Sequence, residues 1–224
     1  MKGIMKDAFL LFVITLVAGA CLGAVHEVTL EPIAKAQLAA NTATYKEVFP
    51  EAASFEQTDE LKAAVEAGAA QIAEQGFGNV SIDAAQEALA EDGTLLGYLI
   101  TASSNDGYNG LVQISAGITA EGTLTGIGFL SISETPGLGM KASEPEFKGQ
   151  FTGKAAQTLE VTKTAPSADN QIQAISGATY TSNAVTGAAN AAIYFVENCI
   201  GTYDAYLKDV HVGNSAQLTS ALSA

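Results

Sequence analysis

The amino-acid sequence predicts an α+β fold: a single N-terminal transmembrane helix, then a domain in which an antiparallel sheet is flanked by helices. Three observations carry that prediction. An uninterrupted uncharged run opens the 224-residue chain, three runs of strand-forming residues follow one another through short turns, and stretches on either side of them place apolar residues at helical spacing.

The uncharged run extends from Ala8 to Val25, eighteen residues with Thr15 the most polar. As a helix it measures roughly 27 Å at about 1.5 Å per residue, close to the thickness of a bilayer's hydrocarbon core. Lys2 and Lys6 precede it and Glu27 and Glu31 follow it, so the positive-inside bias sets the N-terminus in the cytoplasm and the bulk of the chain on the extracytoplasmic side of the cell membrane. A cleaved signal peptide has a shorter apolar part. A lipoprotein signal, suggested by the small residues of "VAGAC" before Cys21, has Ala18 where an aliphatic residue is usual. An uncleaved anchor in lipid is therefore expected. Residues 1–29 form the cytoplasmic end and the anchor, and 30–57, with "YKEVFP" running up to Pro50, form a connecting helix. Residues 58–212 form the extracytoplasmic domain, and 213–224, rich in Ala and Ser, form a flexible tail.

Within the domain, Thr58–Gly76 sets Leu61, Ala64, Val65, Ala69 and Ile72 on one helical face and stops at a glycine. Gly68 shares that face and weakens the helix, being a poor helix former. From Thr94 the pattern changes. "LLGYLITASS", "LVQISAGIT" and "LTGIGFLSIS" are separated by the turn sequences "NDGYNG" and "AEGT", which makes an antiparallel meander, and "TLEVTKT" is a further strand. The run Asn183–Ile200 returns to helical spacing, with Val185, Ala188, Ala189, Ala192, Ile193, Val196 and Ile200 on the buried face.

Composition narrows the function. At 48% hydrophobic and 15% charged, the chain is a globular domain with an appendage. All ten basic residues are lysines and the net charge is −14, which excludes nucleic acid as a partner, since that binding needs a basic face. Any phosphate must be held by backbone N–H groups, hydroxyls or a lysine, because no guanidinium is present for bidentate recognition. Cys21 in the anchor and Cys199 in the last helix are not disulfide partners and have no metal-ligand spacing. His26 and His211 have no acidic or cysteine cluster around them, and no phosphate-binding loop, dinucleotide fingerprint, HExxH or GxSxG occurs. No catalytic or metal-binding residue is expected.

Two stretches stand out. "SGATYTS" gathers the hydroxyls of Ser176, Thr179, Thr181 and Ser182 and a phenol around Gly177 and Ala178, just ahead of the last helix. Hydroxyls there cap free N–H groups in many helices; the same N–H groups and the positive helix end also suit a phosphate, which a threonine could carry covalently. "ETPGLG", Glu134–Gly139, joins a proline of fixed φ to two glycines that permit close backbone approach.

Taken together, the membrane anchor, "YKEVFP", the Gly-rich meander, "ETPGLG", "FKGQF" and "SGATYTSNAV" before a C-terminal helix resemble the FMN-binding G subunit of Rnf complexes, a family related to the C subunit of the sodium-pumping NADH:quinone reductase. The resemblance covers nearly the whole chain. It implies that a flavin transferase moves FMN from FAD onto Thr179 as a phosphoester, with Gly177 and Ala178 giving access and Ser176, Thr181 and Ser182 solvating the phosphate. It implies that Glu134, Thr135, Gly137, Leu138 and Gly139 line the flavin site, with Glu134 making a structural hydrogen bond, and that Lys154 approaches the phosphate. The family often has an acid three places before the serine; Gln173 stands there, with Asp169 the nearest upstream acid. The implied function is an electron carrier within a complex that couples ferredoxin and NAD to export of sodium ions or protons, with the other subunits as partners. Two alternatives remain at this point: a stand-alone FMN carrier feeding another reductase, and a non-redox anchored binding protein in which the hydroxyls are only a helix cap.

Overall fold

A computed structural model describes residues 6, 9–19, 22–23 and 41–200. Cys21, His26, His211, the connecting segment before residue 41 and the tail lie outside the described residues. The chain divides into two compact units, Met1–Ala43 and Thr44–Ala224.

In the first unit residues 9–19 are helical. Phe9, Leu10, Leu11, Phe12, Ile14, Leu16 and Val17 are all exposed, so the helix is apolar around its circumference rather than along one stripe. Its one polar side chain, Thr15, turns its hydroxyl back onto the carbonyls of Leu11 and Phe12, at 3.0 and 2.9 Å. Among the described residues no helix is long and apolar enough to cross a membrane.

The second unit begins at Thr44, ahead of the expected start at residue 58. The extra residues belong to it because they pack on its sheet. Five strands, β1 (Ser54–Glu56), β2 (Val80–Leu89), β3 (Leu95–Gly107), β4 (Gly110–Thr119) and β5 (Leu124–Ile132), pair antiparallel in sequence order. The expected meander is β3–β4–β5, and its runs agree with the strands to within three residues at each end. Two strands that the sequence pattern does not mark, β1 and β2, extend the sheet.

Alternate residues of β3 face opposite layers. Ile100 and Ala102 belong to the main core, under the helices α2 (Asp59–Glu74) and α4 (Thr179–Tyr194), which pack on this face of the sheet. Leu99 faces the other way, into a smaller cluster with Tyr45 and Val48 of the helical residues 44–48, here α1. That approach is close. A Cβ at Gly128 would lie 2.4 Å from Thr44 Cγ2, and one at Gly117 would lie 2.9 Å from Val48 Cγ1, so α1 rests on sheet backbone.

α2 starts where its chemistry says it should: the Thr58 hydroxyl accepts the Leu61 N–H at 3.2 Å, and Asp59 and Glu60 fill the first turn. Its buried face is Leu61, Ala64, Gly68 and Ile72; Ala69 is exposed. Gly68 is therefore a packing requirement, since a Cβ there would lie 2.8 Å from the Cys199 Sγ. Cys199 belongs to a π-helical turn, Phe195–Ile200, that continues α4, and burial pushes its thiol pKa up.

The expected strand "TLEVTKT" appears as β6 (Glu160–Thr162), paired parallel with a short β7 (Gln171–Gln173) in a second sheet. α4 holds the approach to β6 through Asn190. Its amide oxygen accepts the Leu159 N–H at 2.8 Å and its amide nitrogen donates to the Leu159 carbonyl at 2.9 Å, both buried. Asn190→Ala leaves both backbone groups without partners, and we expect a loss of about 2–4 kcal/mol in urea unfolding. An unchanged midpoint would show that water replaces the amide there.

Candidate functional site

At one end of the sheet, three segments converge: the tip of the β3–β4 hairpin (Tyr108 and Asn109), the loop leaving β5 (Glu134–Gly139), and the start of α4. They enclose a cleft of about 310 Å³ lined by Tyr108, Glu134, Thr135, Leu138, Gly139, Gly177, Ala178, Tyr180 and Thr181. Seven of the residues expected at the site thus line one cavity. Its size is that of a small-molecule site.

Each wall has a local cause. Glu134, two residues beyond β5, is buried, and its Oε1 accepts the Tyr108 N–H at 2.7 Å across the hairpin tip. The turn that follows is closed by the Thr135 carbonyl, which accepts from Leu138 and Met140 N–H at 3.1 and 3.2 Å. Gly137 sits in it at φ +75°, a conformation that costs a residue with a side chain. Gly139 is needed for a different reason. A Cβ there would lie 2.7 Å from both Glu134 Cβ and Thr181 Oγ1, so the glycine is the point at which loop and helix touch. Behind the loop, Phe147 of the short helix α3 (Pro145–Lys148) and Phe151 pack edge to face with ring centroids 5.7 Å apart, and both are buried. The loop is thereby fixed to the core.

The helical segment differs from the expected one. α4 begins at Thr179, earlier than Asn183, so the hydroxyl cluster is partly inside the helix. Its N-cap is Ala178, and no side chain caps it. The first intrahelical bond runs from Ser182 N–H to the Ala178 carbonyl at 3.0 Å, which leaves the N–H groups of Thr179, Tyr180 and Thr181 without intrahelical acceptors. Capping by the hydroxyls is therefore not what this sequence does. Ser182 instead ties the loop to the first turn: buried, it donates to the Ala178 carbonyl at 2.9 Å and accepts the Ile175 N–H at 3.0 Å. Gly177, at φ +78°, packs against Leu138, which a Cβ would approach to 3.1 Å. Thr179 is half-buried, with cleft residues on both sides of it in sequence.

Five expected residues stand apart from the cleft lining: Thr179 and Ser182 in the first turn of α4, and Gly137, Ser176 and Lys154. Gly137 shapes the turn. Ser176 lines a neighbouring groove of about 250 Å³ with Lys141, Glu144, Gln150 and Gln173; there Gln150 accepts the Gln173 N–H at 2.7 Å and donates to its carbonyl at 3.2 Å. Lys154 is not brought to the cleft. Its carbonyl accepts from Leu124 N–H at the start of β5, and its ammonium donates to the Asp169 carbonyl. The nine residues of β5 span roughly 26 Å at about 3.3 Å each, so Lys154 sits at the opposite end of the strand from Glu134. Two residues of the cleft, Tyr108 and Tyr180, are not among those the sequence marks for the site. Both are 72% exposed, and the sequence "GYNG" reads only as a turn.

Comparisons with known proteins bear on this geometry. A model of the FMN-binding domain matches residues 107–194, which run from the hairpin tip to the end of α4. The G subunit of the Na(+)-translocating ferredoxin:NAD(+) oxidoreductase complex of Acetobacterium woodii is 37% identical over 204 residues, 88% of this chain and 93% of its own. The chain belongs to the family of G subunits of ion-translocating oxidoreductase complexes. The G subunit of the ion-translocating oxidoreductase complex of Methanosarcina acetivorans, another family member, is 31% identical over 196 residues, covering 87% of this chain and 95% of its own. Among solved structures, NqrC of Shewanella oneidensis gives a TM-score of 0.46 at 16% identity, over 72% of this chain and 74% of that one.

The cleft fits the group that the family's domain is named for. FMN is a flat aromatic ring system with a polar edge and a phosphate tail. Tyr108, Leu138 and Tyr180 offer exposed apolar surface that a ring could cover, Gly139 and Gly177 leave backbone open to close approach, Glu134 has a buried oxygen without a partner, and the uncapped helix start suits a phosphate. The two glycines of the turn give a direct check. Gly139→Ala should cost about 2–3 kcal/mol through overpacking, whereas Gly137→Ala, with open space around it, costs about 1 kcal/mol for its φ alone. Urea midpoints of the two variants measure the difference, and equal costs would contradict the contact at Gly139.

Proposed function

We propose that this chain is the membrane-anchored electron carrier of an ion-translocating oxidoreductase complex, with FMN joined through its phosphate to Thr179. The observation that carries the proposal is the start of α4. An uncapped first turn presents three N–H groups at a threonine hydroxyl beside a cleft with an apolar rim.

Attachment is a phosphoryl-group transfer. The Thr179 oxygen forms a bond to the FMN phosphorus of FAD, the pyrophosphate bond breaks, AMP leaves, and the hydroxyl proton passes to solvent. A flavin transferase is the partner for that step. The phosphoester formed is then flanked by the first-turn N–H groups, which suit negative charge in a chain without arginine. Bound FMN supplies the capacity to take up and release electrons. The residues of the cleft would position it: Tyr108, Leu138 and Tyr180 would hold the ring, and the loop Glu134–Gly139 forms the wall opposite the helix. The carrier exchanges electrons with neighbouring subunits of the complex.

The anchor is the uncharged run Ala8–Val25, N-terminus in the cytoplasm and domain outside. Its support is the helix at 9–19 with apolar side chains exposed on every side, which suits lipid and not water.

The test is intact-mass analysis of the chain expressed in a host with an active flavin transferase. Wild type and Thr179→Ser should carry a mass of FMN less one water, and Thr179→Ala should carry none. Covalent flavin retained in Thr179→Ala, or absent from the wild type, would overturn the assignment.

A further inference from the structure

We infer that the second oxygen of Glu134 is the cleft's fixed negative charge against the flavin ring, and that it holds the flavin's reduction potential down. The inference rests on the proposed flavin site.

The two oxygens of this carboxylate are in different situations. Glu134 is 6% exposed. Oε1 accepts the Tyr108 N–H at 2.7 Å, which fixes the side chain in place. Oε2 is buried without any hydrogen-bond partner. It lies over Gly139, where a Cβ would be 2.8 Å from it and 2.7 Å from Thr181 Oγ1, so it belongs to the point where loop and helix meet in the cleft wall. Buried polar atoms are almost always paired, and a carboxylate oxygen is costly to leave unpaired. An unpaired one in the lining of a cleft indicates that its partner is the occupant. An ionised carboxylate only accepts hydrogen bonds, so the occupant must present a donor, and a flavin ring edge carries N–H.

The charge of this oxygen has no counterweight in the cleft. None of the lining residues is cationic. The lysine of the neighbouring groove, Lys141, shares that groove with Glu144 and Glu146. Reduction adds electron density to the flavin ring, and a negative charge on a group only 6% exposed opposes that addition more strongly than the same charge in water. Glu134 gains and loses no electrons; it raises the free energy of the reduced ring and so favours passing electrons onward. A purely structural acceptor for the hairpin tip would need only Oε1.

E134Q separates the two roles. Glutamine keeps an Oε1 acceptor for Tyr108 and removes the charge. In the flavinylated protein, spectroelectrochemical titration should give a midpoint potential more positive than wild type, while E134D, which keeps the charge, stays nearer the wild-type value. A flavinylated E134Q with an unchanged midpoint would overturn the inference and leave the proposed function standing. A wild type without flavin would instead sink the proposed function. Should E134Q fail to fold or to take flavin, the reduced-minus-oxidised infrared difference spectrum of the wild-type holoprotein decides: carboxylate bands that move on reduction support the inference, and their absence overturns it.

Discussion

The hydrogen bond from the Tyr108 N–H to Glu134 Oε1 ties the tip of the β3–β4 hairpin to the loop leaving β5, and each wall of the cleft is placed relative to that tie. β4 pairs with both neighbours, so its N-terminal half already brings these segments close: Gly107 faces Gly110 across the hairpin, and Val112 faces Ile132. The sheet delivers the segments, and the carboxylate fixes them. A Cβ at Gly107 would lie 2.8 Å from Glu134 Oε1, and one at Gly139 the same distance from Oε2, so glycines on both sides make room for one buried acid. The arrangement places one buried, partnerless carboxylate oxygen in the wall, at a cost in stability.

The opposite wall is set by how closely α4 lies on the sheet. Its buried face is built from Ala184, Gly187, Ala188, Ala191 and Ala192, small side chains that bring the helix axis near the strands. Gly187 brings it equally close to the turn between α2 and β2, since a Cβ there would lie 2.4 Å from the Phe77 carbonyl. A helix held this tightly along its length presents its first turn in a fixed position. Ser182 then locks the loop before it, and the first turn that starts at Thr179 is left without a side-chain cap.

Much of this was legible in the sequence. β3, β4 and β5 were legible because alternating Leu, Ile and Val with Gly-containing turns has few other solutions. β2 was not. "VSIDAAQEAL" is rich in helix formers, and its two buried residues lie on opposite faces, Ala85 in the main core and Ala88 in the cluster of Phe49 and Ala52, so no single face shows a clean alternation. β7 is too short to leave a pattern. In the site, the family resemblance carried by "ETPGLG" and "SGATYTS" pointed to two segments that meet at the cleft; taken alone, the residues of each fit an ordinary loop and a helix start equally well. The hairpin wall was missed because Tyr108 looks like any turn residue until Glu134 is seen to hold its N–H. The place of Lys154, at the end of β5 opposite Glu134, was not legible, because it is set by the pairing of its carbonyl with the Leu124 N–H, which no sequence motif shows.

The central claim is that a flavin joined to Thr179 lies in the cleft between Tyr108, Leu138, Tyr180 and Glu134. A crystal structure of the holoprotein purified from a flavinylating host tests it most directly. The expected result is continuous density from the Thr179 oxygen through a phosphate to a ring system seated in that cleft, with a ring N–H against Glu134 Oε2. A ring lying instead in the groove beside Lys141 and Gln173, or pointing into solvent with the cleft filled by water, would contradict it.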